Sequence, residues 1–290
     1  MKENFKILFE LTKIRITIFV TVTTAFGYLC AAETISYKII SPILGILLIA
    51  CGSAVINHYQ ERNTDALMER TKSRPIPSGK ISPSIALIIA LILVLTGSVV
   101  LFIGSGIIAL GLALLNLIWY NGIYTPLKKK NPLAIIPGSL VGAIPPVVGW
   151  VAGGGSLLAP QILIISLFFF IWQIPHFWLL LLVFNKDYEK AGFPTLTQIF
   201  NSEQLARITF IWIIATAVTC ILIPLFGVIK ISAFNYGLLL AGIWLILKAF
   251  KLLKSAKERI NFRFAFIDIN VFALIVVALV SIERLFLLLY

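Results

Sequence analysis

The sequence predicts an all-helical integral membrane protein with nine transmembrane helices in a single domain, residues 1–290. Hydrophobic residues make up 60% of the chain and its mean hydropathy is +1.01, whereas soluble domains are about 45–50% apolar. The apolar residues form continuous runs of about 20 residues, the length that crosses a bilayer as a helix. Spanning strands would instead alternate polar and apolar positions over about 10 residues, so a strand-based barrel is not expected.

Nine apolar runs are long enough to be spans, and the third and fourth are separated only by Gly104-Ser105-Gly106. The stretch before the first run is amphipathic and of mixed charge, unlike a cleaved signal peptide. We therefore expect the first run to remain as a span. The predicted spans are 14–32, 39–57, 84–103, 105–122, 133–152, 160–183, 207–227, 231–250 and 264–288.

The basic residues divide unevenly between the two sides that this topology creates. Of the 24 basic residues, 21 precede the first span or follow an even-numbered span, and only Lys38, Lys230 and Arg284 lie on the other side. Because cytoplasmic loops are enriched in Lys and Arg, we expect a multi-pass protein of a prokaryotic inner membrane, with a cytoplasmic N-terminus and an external C-terminus. This partition explains most of the net charge of +12 without a nucleic-acid partner.

Three polar side chains recur every four residues at the end of the second span. Asn57, Glu61 and Asp65 drift by only ~40° per step on a helix, so they stay on one face. Their hard oxygen atoms suit Mg²⁺, which is usually held by one or two carboxylates together with substrate phosphate oxygens. We interpret the row as a metal site that takes part in catalysis.

Cationic side chains follow this row directly, at Arg70, Lys72 and Arg74. Cations beside a metal ion help a diphosphate to bind and to leave. We therefore assign Arg70 and Arg74 to catalysis and Lys72 to substrate binding.

A second polar segment follows the sixth span. Asp187 is its candidate metal ligand and catalytic residue, and Asn185 and Glu189 lie beside it, one helical turn apart. Asn185 and Tyr188 are assigned to substrate binding. The alternative interpretation is a solvated loop with paired charges. The metal-site interpretation is favoured only because the row of Asn57, Glu61 and Asp65 offers a partner site. Two acidic sites facing one cavity could hold two Mg²⁺ ions on a diphosphate.

Two further candidates lie between these segments, four residues apart. Tyr124 and Lys128 can both donate hydrogen bonds to phosphate oxygens. We predict that Tyr124 binds substrate and that Lys128 is catalytic, although the run of three lysines that begins at Lys128 is also explained as a topological anchor.

His176 lies inside the sixth span, directly after Pro175, where a helix is expected to bend. Ionisable residues within spans are enriched at functional cavities, so we predict substrate binding there. A packed, hydrogen-bonded histidine is the alternative. His58 points about 100° away from Asn57 and is a weaker candidate.

The segment from Asn57 to Pro75 resembles the first aspartate-rich motif of the UbiA superfamily of intramembrane prenyltransferases. Its form is that of the branch of the superfamily that farnesylates protoheme IX. The resemblance extends over nearly the full length. The motif is Asn57-xxx-Glu61-xxx-Asp65-xx-Met68-x-Arg70-Thr71-xx-Arg74-Pro75, and the other matching elements are Leu11-Thr12-Lys13-Ile14-Arg15, Tyr124-Thr125-x-Leu127-Lys128, the run 138–150, Pro175-His176-Phe177-Trp178 and Asp187-Tyr188-xx-Ala191-Gly192-x-Pro194.

The resemblance implies nine helices around a central cavity that is open toward the cytoplasm and laterally toward lipid. It implies farnesyl diphosphate and protoheme IX (heme B) as substrates, heme O and diphosphate as products, and Mg²⁺ as the cofactor. The expected surroundings are the lipid bilayer and, as assembly partners, heme A synthase or a terminal oxidase.

Two departures from the superfamily pattern leave the number of Mg²⁺ ions open. Glu61 replaces a more usual Asp, and Ala191 stands where a fuller second motif would have a second Asp. A relative that prenylates a quinone precursor or another aromatic acceptor would share the diphosphate site. A secondary transporter is disfavoured because the charges lie at one face and not at the midplane, and an assembly factor would not require metal ligands beside arginines.

The three cysteines, Cys30, Cys51 and Cys220, lie inside apolar runs without the spacing of a metal site. We expect them to be small buried hydrophobes. The sequence has no Cys-x-x-Cys-His motif, so heme is expected as a substrate and not as a covalently attached group.

Overall fold

The computed structural model describes residues 2–254 and 262–289, and this part of the chain is helical and contains no strand. The loop predicted between the last two spans falls largely on 255–261, outside the described residues. The helices are α1 (Lys2–Leu11), α2 (Ile14–Ala31), α3 (Ile40–Asp65), α4 (Pro83–Ile118), α5 (Thr125–Leu127), α6 (Ile135–Gly138), α7 (Leu140–Ala152), α8 (Pro160–Val183), α9 (Asn185–Lys190), α10 (Ser202–Leu225), α11 (Ser232–Lys254) and α12 (Phe262–Leu289).

Eight helical stretches within the described ranges are long and apolar enough to cross a membrane, and the longest runs for 45 residues from Pro83 to Leu127. This stretch is not one rod, because Gly106 inside it has φ 83° and ψ 177°. Such a conformation is readily adopted only by glycine. The stretch therefore consists of two segments joined at Gly106.

Contacts with α3 show that the chain reverses direction at this glycine. Before it, Gly45 lies against Leu101 and Gly52 against Val94, so the partner numbers fall as α3 advances and the helices are antiparallel. After it, the partners of α3 rise in step with its own numbering, because Ser53 bonds to Asn121 and Asn57 to Thr125. Counting the two halves separately gives, in the part of the chain that the structure describes, the nine segments of span length that the sequence predicts.

Helices α2 and α7 pack in backbone contact. A Cβ atom added to Gly27 would lie 1.9 Å from the carbonyl oxygen of Pro146, and one added to Gly149 would lie 1.8 Å from that of Thr24. Small residues allow this approach, which gives membrane helices much of their packing energy. These glycines set the separation between the first and fifth spans.

The largest core cluster joins α8, α10, α11 and α12 and includes Phe168, Phe169 and Phe272. Many large apolar side chains of the helices point outward instead, such as Ile103 of α4, which is 79% exposed. An apolar exterior of this kind is what a bilayer requires. The cysteines are free and buried, as predicted.

At one end of the bundle, side chains in the last turns of α12 form hydrogen bonds with the backbone of other segments. The Glu283 carboxylate accepts hydrogen bonds from the backbone nitrogens of Lys230 (2.8 Å) and Ile231 (3.2 Å), and the Arg284 guanidinium donates to the carbonyl of Cys30 at 2.8 Å. Lys230 and Arg284, both predicted to be external, thus lie at one end. The polar site lies at the other.

Candidate active site

The predicted row Asn57, Glu61 and Asp65 occupies the last three turns of α3 and faces inward. Their exposed fractions are 0%, 5% and 0%. Burying two carboxylates is costly unless cations or hydrogen bonds compensate. The surroundings of the row supply both.

Each carboxylate of the row pairs with a cation. Lys128 Nζ lies 2.5 Å from Glu61 Oε1, and Arg74 Nη1 lies 2.7 Å from Asp65 Oδ2. These cations come from different loops, so the row brings together the connections that follow the second and fourth predicted spans. The sequence prediction that Arg74 and Lys128 accompany the row is consistent with this geometry.

Asn57 is held by groups from two other elements. The Lys13 ammonium donates to Asn57 Oδ1 at 2.7 Å, and Asn57 Nδ2 donates to Thr125 Oγ1 at 3.1 Å. Lys13 lies at the junction of α1 and α2 with φ 49°, a conformation that costs about 1–3 kcal/mol in a non-glycine residue and often marks functional sites.

Burial and neighbouring charges together lower the pKa of Lys13 but raise the pKa of Lys128. Burial and the Arg74 charge lower the pKa of Lys13 to about 7, against the attraction of Glu61. Burial also opposes the charge of Lys128, but the adjacent Glu61 carboxylate raises the pKa of Lys128 overall. Lys128 is therefore a permanent cation, while Lys13 changes charge near neutral pH when the site is free.

The loop after α3 brings the second acidic segment to the first. Thr71 Oγ1 donates to the Asp65 carbonyl at 2.9 Å, which closes the turn. The backbone nitrogen of Arg70 then reaches Asp187 Oδ2 at 3.4 Å, and the Arg70 guanidinium lies 4.9 Å above the ring of Phe184. Asp187 thus lies beside the first motif.

A π-helical segment, Trp119–Tyr124, orients the next candidates. Such segments are uncommon and often occur at functional sites. Asn121 inside it exchanges hydrogen bonds with Ser53 of α3. Tyr124 is stacked between Tyr120 and Phe177, each at 5.9 Å between ring centroids.

His176 lies on the α8 surface that meets α12. Its Nδ1 is 2.7 Å from Asn270 Oδ1, and the rings of Trp172, Phe177 and Phe266 surround it at 4.8, 5.4 and 5.3 Å between centroids. Phe177 also contacts Tyr124. An aromatic path therefore connects His176 with the charged row.

The comparisons with known proteins identify the family of this chain. The model of the UbiA prenyltransferase family matches residues 20–270. The chain belongs to the UbiA prenyltransferase family. Among its relatives, the protoheme IX farnesyltransferase of Oleidesulfovibrio alaskensis is 32% identical over 95% of both chains. The protein of that name from Nitratidesulfovibrio vulgaris strain Hildenborough is 34% identical over 92% of both chains.

Solved structures share the UbiA fold at lower identity. A structure described in connection with digeranylgeranylglyceryl phosphate synthase in membranes matches with a TM-score of 0.79 and 19% identity, and covers 97% of this chain and 99% of its own. A UbiA homologue from Archaeoglobus fulgidus bound to GPP and Mg²⁺ matches with a TM-score of 0.72 and 14% identity, and covers 98% of this chain and 100% of its own. The all-helical prediction is confirmed.

Two predicted site residues of this UbiA chain, Lys72 and Asn185, have their nearest side-chain partners outside the row. Lys72 is exposed and paired with Glu69 at 2.6 Å. Asn185 donates to Glu189 at 2.6 Å in a network that includes Thr197. Tyr188 packs against Phe193 but is also close enough to interact electrostatically with Lys128, the partner of Glu61. The spacing of residues along the chain indicated that Lys72 and Asn185 lie near the site, but both side chains have nearer partners.

Two residues of the site were not predicted from the sequence, Lys13 and Asn270. Lys13 was counted only among the basic residues that set topology, although it is part of the family resemblance. Asn270 had one available signal, since an amide inside an apolar span is costly and usually has a partner.

The side chains of the row fit a divalent metal ion by their chemistry. Asp65 Oδ1 is buried and has no hydrogen-bond partner, so one hard oxygen ligand is uncommitted. Within the described ranges, no group of three or more His, Cys, Asp or Glu side chains is positioned to hold a metal ion. The row would therefore need oxygen atoms from the substrate, as Mg²⁺ sites at phosphates usually do.

Proposed function

We propose that this chain transfers the farnesyl group of farnesyl diphosphate to protoheme IX and, with one water molecule, forms heme O and releases diphosphate. The observation that carries the proposal is the buried row of Glu61 and Asp65, each paired with a cation, which the rings of Tyr124 and Phe177 connect with the half-buried His176. Support for the acceptor comes from relatives that are named protoheme IX farnesyltransferases over nearly the whole chain.

The charged residues hold the diphosphate in this proposal. Arg74, Lys128 and Arg70 stabilise the negative charge that develops as the allylic carbon–oxygen bond breaks. Asn57, Glu61, Asp65 and Asp187 would hold Mg²⁺, which supplies further charge stabilisation to the leaving oxygens when bound. Tyr124 lies under Lys128, with the ammonium 5.5 Å from the ring centroid, and lines the path of the allylic carbon.

The aromatic walls between the two halves of the site protect the allylic cation from water. The vinyl group of the porphyrin attacks this cation and forms a carbon–carbon bond. Water then captures the new carbocation and loses a proton, which leaves the hydroxyethylfarnesyl substituent. Tyr120, Tyr124 and Phe177 are stacked where these steps would occur, and such a dry lining suits a cationic intermediate.

The reaction can be tested directly. Purified protein is incubated with heme B, farnesyl diphosphate and Mg²⁺, and the products are separated by chromatography and identified by mass. We expect heme O and an equal amount of diphosphate. Consumption of farnesyl diphosphate only with a quinone precursor in place of heme would contradict the proposed acceptor while keeping the donor.

We propose an inner-membrane location with the charged site at the cytoplasmic face, and heme A synthase or terminal oxidase assembly as the recipient of the product. Reporters fused after Lys80 or Lys129 are expected to be cytoplasmic, and a reporter after Gly154 external, because 21 of 24 basic residues lie on the first side. Reporter activity measured in whole cells checks this. A cytoplasmic signal at Gly154 would contradict the nine-span topology.

The donor and acceptor halves should be separable by mutation. We expect His176→Ala to lower the rate of heme O formation strongly while Mg²⁺-dependent binding of farnesyl diphosphate stays unchanged, because His176 lies outside the charged row. Calorimetric titration and the product assay, both in nanodiscs, check this. Thermal unfolding serves as the control, since a buried hydrogen bond contributes about 1 kcal/mol to stability. A stable variant with normal turnover would assign His176 a packing role.

A further inference from the structure

We propose that Asn270 is a positioning residue that fixes the tautomer of His176, so that His176 Nε2 ligates the iron of the porphyrin acceptor. This inference rests on the proposed function for the identity of the acceptor. It adds an atom-level anchor and a new residue to that function.

The first step concerns the orientation of the Asn270 amide. Its Nδ2 donates to the carbonyl of Phe266, one turn earlier in α12, at 2.6 Å. The opposite orientation would place two oxygens against each other at that distance. Asn270 Oδ1 must therefore face His176, from whose Nδ1 it is 2.7 Å away.

The second step concerns the proton on His176. An amide oxygen can only accept a hydrogen bond, so His176 Nδ1 carries the hydrogen and donates it. The neutral imidazole then has its lone pair on Nε2. Metal-binding histidines commonly have this arrangement, in which a fixed acceptor on one nitrogen orients the other toward the metal.

The third step is the rigidity of the support. Trp172 Nε1 donates to the carbonyl of Ile269 at 3.0 Å, which gives α8 a second side-chain bond to α12 one turn from the first. The aromatic rings of Trp172, Phe177 and Phe266 offer flat apolar walls to a porphyrin.

The fourth step is the lack, within the described residues, of another accessible imidazole, thiol or thioether ligand for iron. The sequence has two histidines, three cysteines and two methionines. His58 is 1% exposed, Met68 is 3% exposed and the cysteines are buried. In residues 2–254 and 262–289, His176 is therefore the only imidazole, thiol or thioether side chain that is not buried.

The test compares iron porphyrin with metal-free protoporphyrin IX, because only the former can gain from a ligand. Wild-type protein and the variants His176→Ala, Asn270→Ala and Asn270→Asp are titrated with both in nanodiscs, and absorption and electron paramagnetic resonance spectra are recorded. Asn235→Ala, in α11, is the matched control for loss of a helical asparagine. Thermal unfolding establishes that each variant is folded.

We expect histidine-ligated ferric heme in the wild type, and its loss in His176→Ala with recovery on addition of free imidazole. Asn270→Ala should weaken binding of iron porphyrin about 10–100-fold and leave the metal-free porphyrin unaffected. Asn270→Asp retains an acceptor for Nδ1–H but loses the hydrogen bond to the Phe266 carbonyl, so it should restore the histidine spectrum only in part, with a lower reduction potential, because a carboxylate makes the imidazole a stronger donor. Asn235→Ala should match the wild type.

Equal weakening of both porphyrins would overturn the proposal, since it would indicate packing and not ligation. A histidine-type spectrum that survives in His176→Ala would overturn it as well. Heme O formation by the wild type without histidine ligation would reject this inference and keep the proposed reaction. Iron-dependent binding without any heme O would reject the reaction and keep the inference.

Discussion

Asp65→Asn and Glu61→Gln are each expected to lower turnover by more than ~100-fold, which corresponds to about 2.7 kcal/mol of transition-state stabilisation. Both changes keep the shape of the side chain but remove a charge from the buried row. Steady-state kinetics with farnesyl diphosphate and heme B measure the effect. The loss should appear in kcat, because the charges act most strongly on the leaving diphosphate.

The control for this pair is Glu69→Gln. Glu69 is a nearby glutamate whose side chain is 64% exposed and paired with Lys72, and exposed pairs of this kind contribute little because solvent screens them. We expect its turnover to equal that of the wild type. Near-normal turnover in both row variants, with the control also normal, would contradict the assignment of diphosphate binding to the row.

Gly149→Ala is expected to have the largest effect on stability. The added carbon would meet the Thr24 carbonyl oxygen at 1.8 Å, so α2 and α7 must separate. Overpacking typically costs about 1–3 kcal/mol, and a backbone obstacle cannot move as a side chain can. We expect a decrease in Tm of roughly 5–10 °C, measured by thermal unfolding in detergent.

Gly111→Ala is the matched control for this substitution. Gly111 is also helical, but nothing lies within 4 Å of an added carbon. Alanine favours the helix over glycine by about 1 kcal/mol, so this variant should be as stable as the wild type or slightly more stable. A similar loss of Tm in both variants would indicate that helix contact is not the cause.

The parts of the site that were predicted from the sequence are those set by local helix geometry. The row of Asn57, Glu61 and Asp65 follows from a spacing of four residues, which any helix converts into one face. The nine spans follow from the length of the apolar runs, including the two that meet at Gly106. These features need no knowledge of how the helices pack.

The parts that were missed depend on the rotation of helices against each other. Asn270 lies 94 residues from His176 along the chain, and no local pattern joins them. Lys13 reaches Asn57 only because the backbone at Lys13 turns to a positive φ. Lys72 and Asn185 illustrate the converse, since proximity along the chain did not prevent each from finding another partner.

The reversal of the chain at Gly106 has a consequence for the insertion of the protein into the membrane during synthesis. From Pro83 to Leu127 the chain contains no charged residue and no histidine, and the two halves are joined by a turn without a loop. This pair of helices can therefore enter the bilayer together as a hairpin from one side, and no charge has to be carried across the hydrocarbon, where it would be costly. Lys80 and Lys128 flank the hairpin and can remain on the side from which it inserts. Insertion of the third and fourth spans therefore leaves the charged site on that same side of the membrane.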